Sequence, residues 1–274
     1  GSLTKKLKLL NNYTNKFIKL IKFDGFACDI KSALNVTHIS SYRDSLEESY
    51  DFKFKNYIFK LLMIKNSEVL DKNRIFTIST FWNAGKYVKE CIQSLKSQTH
   101  VNFISYFIDD MSTDNSYEIA KEEIGKDERF ILIKNEEKKF KTKNFIDVIR
   151  NNPKIKSNDV IVEIDGDDKL ASNNVLERIN KVFTNDEIWL CGTRWKDRSG
   201  NWGNYGKPNP ERARSTVWNF SHMRSFRAFL FREIKDEHLK MNGKYFKGAC
   251  DIGHAIPMLE MSGSEHFYYI NEPL

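Results

Sequence analysis

The stretch "VIVEIDGDDKL", Val160 to Leu170, decides the fold. Its first five residues, Val160 to Ile164, read as a buried strand. Asp165, Asp167 and Asp168 then follow within four positions, around Gly166. Carboxylates packed so closely repel one another, so their place at the end of a strand needs a cause.

Outward from this stretch, strand and helix patterns alternate. Strands are expected at "RIFTIST" (74–80), "NFISYFI" (102–108), "RFILIK" (129–134), "DVIVEI" (159–164) and "EIWLCG" (187–192). Helices are expected between them. Asn83 caps the first, whose Val88, Ile92 and Leu95 share a face; Gly125 stops the second; the third ends before Pro153; Ser172 caps the fourth. This alternation gives an α/β fold, a mainly parallel sheet with helices on both faces. In such sheets ligands sit beyond the carboxyl ends of the strands.

That rule makes the acidic positions informative. Asp109 and Asp110 follow the second strand, and Asp165–Asp168 follow the fourth, so both clusters emerge on one sheet edge. A single acidic turn is ordinary, because Asp and Gly favour turns. Two on the ligand edge suit a divalent cation, which makes clustered carboxylates tolerable and leaves places for phosphate oxygens. Gly166 is expected to let the backbone approach a ligand closely.

The 274 residues suffice for one large domain plus an appendage, and the 40% hydrophobic content suffices for a sizeable core. No run of about eighteen apolar residues spans a membrane, and no secretory signal is visible. The opening Gly-Ser-Leu resembles a cloning remnant. Cys28, Cys91, Cys191 and Cys250 form no Cys-x-x-Cys pair and read as reduced thiols of a cytoplasmic protein, with no zinc site. The net charge of +7 fits a lysine-rich surface, a phosphate-bearing substrate or an anionic membrane, and no nucleic-acid-binding motif accompanies it. Residues 1–73 read as a mostly helical extension. Leu7, Leu10, Phe17, Leu20 and Ile21 lie among lysines, as in a helix packed on the main domain or one resting on the cytosolic face of a membrane.

"FTISTFWNAGKYVKECIQSLKSQTHVNFISYFIDDMSTDNS", followed some fifty residues later by "VIVEIDGDDKL", resembles the GT-A glycosyltransferases of family 2. The resemblance rests on Asp-Asp-x-Ser-x-Asp (Asp109, Asp110, Ser112, Asp114) occurring with Asp-x-Asp-Asp. It implies a Rossmann-like GT-A domain over 74–274, with a nucleotide-sugar-binding half (74–190) and an acceptor-binding half (191–274). It also implies an inverting, metal-dependent transfer from a nucleoside-diphosphate sugar to a hydroxyl of a glycan or glycoside, with Mn²⁺ or Mg²⁺ as cofactor. By family frequency the donor nucleotide is UDP, with GDP and dTDP as alternatives.

The resemblance assigns roles by position. Thr80, Phe81 and Asn83 stand where the nucleoside is contacted, and Asp110 where a carboxylate holds the nucleobase. Lys143, before Asn144, stands where a basic residue faces the nucleotide. Asp165 approaches the ribose or donor sugar, Asp167 ligates the metal with Asp165 as second ligand, and Asp168 supports either. His222 and Arg224 face the donor phosphates or the acceptor, with His222 a candidate third metal ligand. Asp251 stands where the family places its general base; the alternative is a helix N-cap. Glu260 and Glu265 are the next acids along the chain. The Gly-, Trp-, Asn- and Arg-rich stretch 191–231 suits an acceptor site, where aromatic rings pack on pyranose faces, or a lid. The chain's end at "FYYINEPL" suggests an excised domain of a longer protein, whose other domains would be its partners.

Two rivals remain on sequence grounds. A sugar-phosphate nucleotidyltransferase would carry a Gly-rich basic loop after the first strand, where this chain has "STFWNAGKY". A basic nucleic-acid-binding module would bind with a steep salt dependence.

Overall fold

The structure is a computed structural model. It describes residues 73–203, 206–215, 220 and 223–274, with the backbone alone at 251. The chain divides into two units, 1–69 and 70–274, and the description concerns the second. The helical extension expected over 1–73 lies outside the described residues except for Asn73.

Strands and helices alternate through the first half: β1 (Ile75–Phe81), α1 (Val88–Lys96), β2 (Phe103–Asp109), α2 (Ser116–Ile124), β3 (Phe130–Lys134) and α3 (Phe140–Phe145), which a π-helical turn extends to Arg150. β4 (Val160–Glu163), α4 (Val175–Val182) and β5 (Leu190–Arg194) follow. The second half supplies β6 (Arg224–Arg227), α5 (Ala228–Arg232), the short hairpin β7 (Lys240–Met241) and β8 (Lys244–Tyr245), α6 (Cys250–Ser262) and β9 (Phe267–Pro273). Seven strands form one sheet in the order β3-β2-β1-β4-β6-β5-β9. Its pairs are parallel except where β6 runs antiparallel between β4 and β5.

The central parallel strands β1, β2 and β4 are buried on both faces, so alternate residues feed two separate cores. Ile75, Phe103, Phe107, Val160 and Val162 pack under α1, α2 and α4. Phe76, Ile78, Tyr106, Ile108 and Ile161 pack under α3, α5 and α6. The helices meet the sheet through stripes spaced three and four residues apart, such as Val88, Cys91, Ile92 and Leu95 of α1. Gly125, at φ +60°, ends α2 in a conformation open to glycine.

Two expectations fail locally. Asn83 does not cap α1, which begins at Val88 after Tyr87; the intervening residues are engaged with the β2 loop instead. Ser172 does not cap α4 either, since that helix begins at Val175 after Asn174. Beside β4 stands β6, drawn from the aromatic stretch 191–231.

Candidate active site

The carboxyl ends of β1, β2 and β4 are laced together. The Gly166 N–H donates to Thr80 O (3.1 Å) and the Asp110 N–H to Phe81 O (2.8 Å). In the β1 loop the Asn83 N–H donates to Ser112 Oγ (2.9 Å), Asn83 Oδ1 accepts from the Thr113 N–H (2.8 Å), and the Gly85 N–H donates to Asp114 Oδ2 (3.2 Å). Asp109 Oδ1 closes its own turn by accepting the Ser112 N–H (2.9 Å). Most of the Asp-Asp-x-Ser-x-Asp motif therefore serves as the clasp that sets the shape of the edge.

This corrects three assignments. Asn83 holds the β2 loop, and its side-chain oxygen faces Thr113. The Phe81 ring is buried against Phe107, with centroids 5.1 Å apart, so it presents no face to a nucleoside. Asp110 is buried and receives four donors: Asn135 Nδ2 (2.9 Å), Asn144 Nδ2 (3.1 Å) and the Lys139 N–H (2.9 Å) on Oδ1, and the Phe140 N–H (2.9 Å) on Oδ2. Its carboxylate fixes the ends of β2 and β3 against the start of α3, which leaves it little capacity for a nucleobase. Thr80 stays half-buried at the end of β1.

Gly166 also differs from expectation. A Cβ there would stand 2.6 Å from Phe81 Cβ and 3.1 Å from Thr80 O. The glycine is required by close packing on β1, and it brings the acidic turn onto the sheet edge. Beyond it, Asp167 and Asp168 are exposed while Asp165 is half-buried, and the Asp168 N–H closes the turn on Asp165 O (3.0 Å).

Lys141 of α3, not Lys143, is the cation of this site. Its ammonium lies 2.5 Å from Asp165 Oδ1 and 2.6 Å from Glu163 Oε1. Burial works against its charge, but Glu163 and then Asp165 outweigh that and hold its pKa above the ordinary value. Lys143 instead pairs with Asp147 one turn along the same helix. In a lysine-rich segment nothing in the sequence separates the two.

Glu163 sits beneath this pair, two residues before Asp165, with its side chain almost wholly buried. Because β6 pairs antiparallel with β4, Glu163 faces Arg224 directly in register. The Arg224 guanidinium donates to Glu163 Oε2 (2.9 Å) and Oε1 (2.7 Å) and to Phe220 O (3.0 Å). Burial penalises the Glu163 charge, yet Arg224, then Lys141 and His254, overcome it and hold the carboxyl well below its usual range. Arg224 is thus corrected from a phosphate-facing residue to a fully buried counterion. His222 lies outside the described residues.

The first turn of α6 carries position 251. The residue before the helix is Ala249, in a left-handed conformation (φ +50°), so Asp251 is the second helical residue and not its cap. His254, one turn on, reaches Glu163 Oε2 with Nε2 at 3.0 Å. That contact docks the start of α6 beside the end of β4. Glu260, two turns further, is paired with Arg214 (2.6 and 2.9 Å).

Two aromatic features frame the edge. The Lys138 ammonium sits 3.1 Å from the Trp82 ring centre, without a hydrogen-bond partner among the described residues. Burial lowers its pKa, while Asp110 and Asp109 pull the other way. After β5, a hairpin joined by the Lys196–Trp202 bridge leans over the acidic turn. Its Arg198 donates to Glu90 Oε2 (2.9 Å) and Asp167 O (3.3 Å), and Trp202 lies half-exposed beneath Arg194 and Lys196.

The donor set fits a hard cation bound in part by substrate. Asp167 offers an exposed carboxylate beside Asp168, whereas one oxygen of Asp165 is taken by Lys141. Among the described residues no three His, Cys, Asp or Glu side chains gather into a complete cage. One or two carboxylates with diphosphate oxygens completing the shell is how such a cation binds with a nucleotide.

Comparison with known proteins converges on one family. The family model described as "Glycosyl transferase family 2" matches residues 77–258, more than half of the chain. Over 64 residues the chain is 36% identical to glycosyltransferase GlyG of Streptococcus pneumoniae serotype 4 (strain ATCC BAA-334 / TIGR4), a stretch covering 23% of this chain and 21% of GlyG. The crystal structure of S. aureus TarS 1–349 is similar at a TM-score of 0.52 and 16% identity, over 73% of this chain and 60% of that one; TarS 1–349 has also been solved with UDP-GlcNAc. The mannosyltransferase PcManGT from Pyrobaculum calidifontis, solved with GDP-Man and Mn²⁺, matches at a TM-score of 0.52 and 13% identity, over 73% of this chain and 55% of that one. The chain thus spans about a fifth of GlyG and less than two thirds of either solved chain, and at these identities the two structures speak for the fold. With its mostly parallel sheet and acidic carboxyl edge, the chain belongs to glycosyl transferase family 2 and has the GT-A fold.

Proposed function

We propose that this protein is a glycosyltransferase that moves a sugar, with inversion, from a nucleoside-diphosphate sugar to a hydroxyl of a glycan or glycoside acceptor. UDP is the favoured nucleotide, Asp167 the principal ligand of Mn²⁺ or Mg²⁺, and Asp251 the general base. The observation that carries the reading is that the Asp165–Asp168 turn, laced to β1, follows the strand whose Glu163 is hydrogen-bonded to His254 of α6. TarS bound to UDP-GlcNAc and PcManGT bound to GDP-Man and Mn²⁺ support a donor of this class.

The chemistry that the cation supplies when bound is neutralisation of the charge developing on the leaving diphosphate. Asp165, steadied by Lys141, is placed to accept hydroxyls of the ribose or donor sugar. Asp251 takes the proton from the acceptor hydroxyl as that oxygen attacks the anomeric carbon, a role worth about a hundred- to ten-thousand-fold in rate. The half-exposed Trp202 of the hairpin suits the face of an acceptor ring.

A thermal-shift panel of UDP, GDP, CDP and dTDP, each with and without Mn²⁺, tests this reading. At about a hundred times Kd, a ligand stabilises the native state by ~2.7 kcal/mol. At ~2–4 °C per kcal/mol for a domain of this size, UDP with Mn²⁺ is expected to raise Tm by about 5–11 °C. Asp167→Ala is expected to abolish the Mn²⁺-dependent part. A panel in which no nucleotide raises Tm overturns the proposal.

A further inference from the structure

We propose that His254 is a positioning residue, tying the first turn of α6 to Glu163 so that Asp251 is held at a fixed place relative to the Asp165–Asp168 turn. The proposal rests on the reading of Asp251 as general base and adds how the chain holds it.

Charge balance does not account for the histidine. Glu163 already has a bidentate partner in Arg224 and a second cation in Lys141 (2.6 Å). Packing does not account for it either. The imidazole lies buried between two rings, stacked on Phe145 at 5.4 Å and edge-on to Phe231 at 5.8 Å. An apolar side chain would fill that slot without leaving a polar atom unsatisfied, whereas His254 buries Nδ1 with no hydrogen-bond partner among the described residues. What the histidine adds is the 3.0 Å contact of Nε2 with Glu163 Oε2.

The helix has a specific need for such a tether. Pro257 lies inside α6 and has no N–H, so the Gly253 carbonyl lacks its usual helical donor. The first turn is thereby less firmly joined to the rest of the helix. It also starts from Ala249 in a left-handed conformation, and Phe246 occupies the space where a side chain at Gly253 would stand (2.7 Å from its Cβ position). The turn that carries Asp251 is therefore placed by tertiary contacts. Among the described residues one of these runs from Cys250 Sγ to Phe246 O (3.4 Å), and another from His254 to Glu163 at the end of β4, which in turn shares Lys141 with Asp165. Base and donor sides of the site are coupled through one buried carboxylate.

The test compares His254→Phe, which keeps the aromatic packing but removes the nitrogen, with His254→Gln, which keeps a side-chain N–H donor. Variants of the 274-residue chain are assayed for UDP-sugar hydrolysis with Mn²⁺ and for amide hydrogen exchange. A misplacement of about 1 Å costs on the order of a hundredfold in rate. His254→Phe is expected to lower kcat about 10- to 100-fold, with donor KM within about threefold of wild type, and to speed exchange at residues 252–255. His254→Gln is expected to recover most of both. An unchanged kcat in His254→Phe, or a loss in His254→Gln as large as in His254→Phe, overturns the proposal. If His254→Phe fails to fold, His254→Asn, whose shorter side chain falls short of Glu163, takes its place under the same criteria. If the wild-type protein hydrolyses no nucleotide sugar, the reading of function fails. The tether is then decided by exchange alone: protection at 252–255 lost in His254→Phe and restored in His254→Gln supports it, and equal protection in all three overturns it.

Discussion

Replacing Arg224 by methionine separates a buried counterion from a donor-binding residue. Arg224 is fully buried, and its hydrogen bonds to described residues include two to Glu163 and one to Phe220 O. Breaking a buried ion pair by removing one partner costs about 3–5 kcal/mol, because the other charge is left behind. Lys141 and His254 still face Glu163, so the loss should fall near the lower end, about 3 kcal/mol. At ~2–4 °C per kcal/mol, Tm should drop by about 6–12 °C. Combining Arg224→Met with Glu163→Met leaves neither charge stranded across β4 and β6, and should recover half or more of the loss. Urea unfolding of the wild type, both single variants and the double variant, followed by circular dichroism, measures this coupling. An Arg224→Met protein with wild-type stability but weakened UDP binding would refute the reasoning and return the guanidinium to the donor site.

Gly166→Ala places a methyl 2.6 Å from Phe81 Cβ. It should destabilise by about 1–3 kcal/mol and weaken UDP binding with Mn²⁺ by lifting the acidic turn off β1; wild-type values in both unfolding and titration would show that the turn is not seated there. Asp110→Ala removes the acceptor for four N–H donors and should cost at least about 2 kcal/mol of stability. An equally stable variant that loses only nucleotide affinity would restore Asp110 to the nucleobase.

Much of the fold was legible because local signals agreed with it. Strand composition and helix periodicity located β1 to β5, and the rule that ligands gather at carboxyl ends brought the two acidic clusters together. The errors came from pairings that chain order hides. β6 stands beside β4 although some sixty residues separate them, so neither Arg224 as a counterion nor Glu163 as the hub of a buried network followed from local pattern. An acid within an otherwise apolar strand was the available signal: a carboxylate there must find partners. Lys141 could not be told from Lys139 or Lys143, since only the direction of α3 decides which one meets Asp165. Asn83 looked like a cap because cap chemistry is local, whereas its actual partner, Thr113, lies on the next loop.

The most direct measurement is the rate of UDP release from UDP-sugars in the presence of Mn²⁺ by the wild-type protein and by Asp251→Asn. Position 251 is the second helical residue, so the exchange of Asp for Asn should cost stability no more than about 1 kcal/mol, through the helix dipole. The account predicts that donor affinity survives while the rate falls by about two to four orders of magnitude. A variant that binds the donor normally and turns over at the wild-type rate would contradict it.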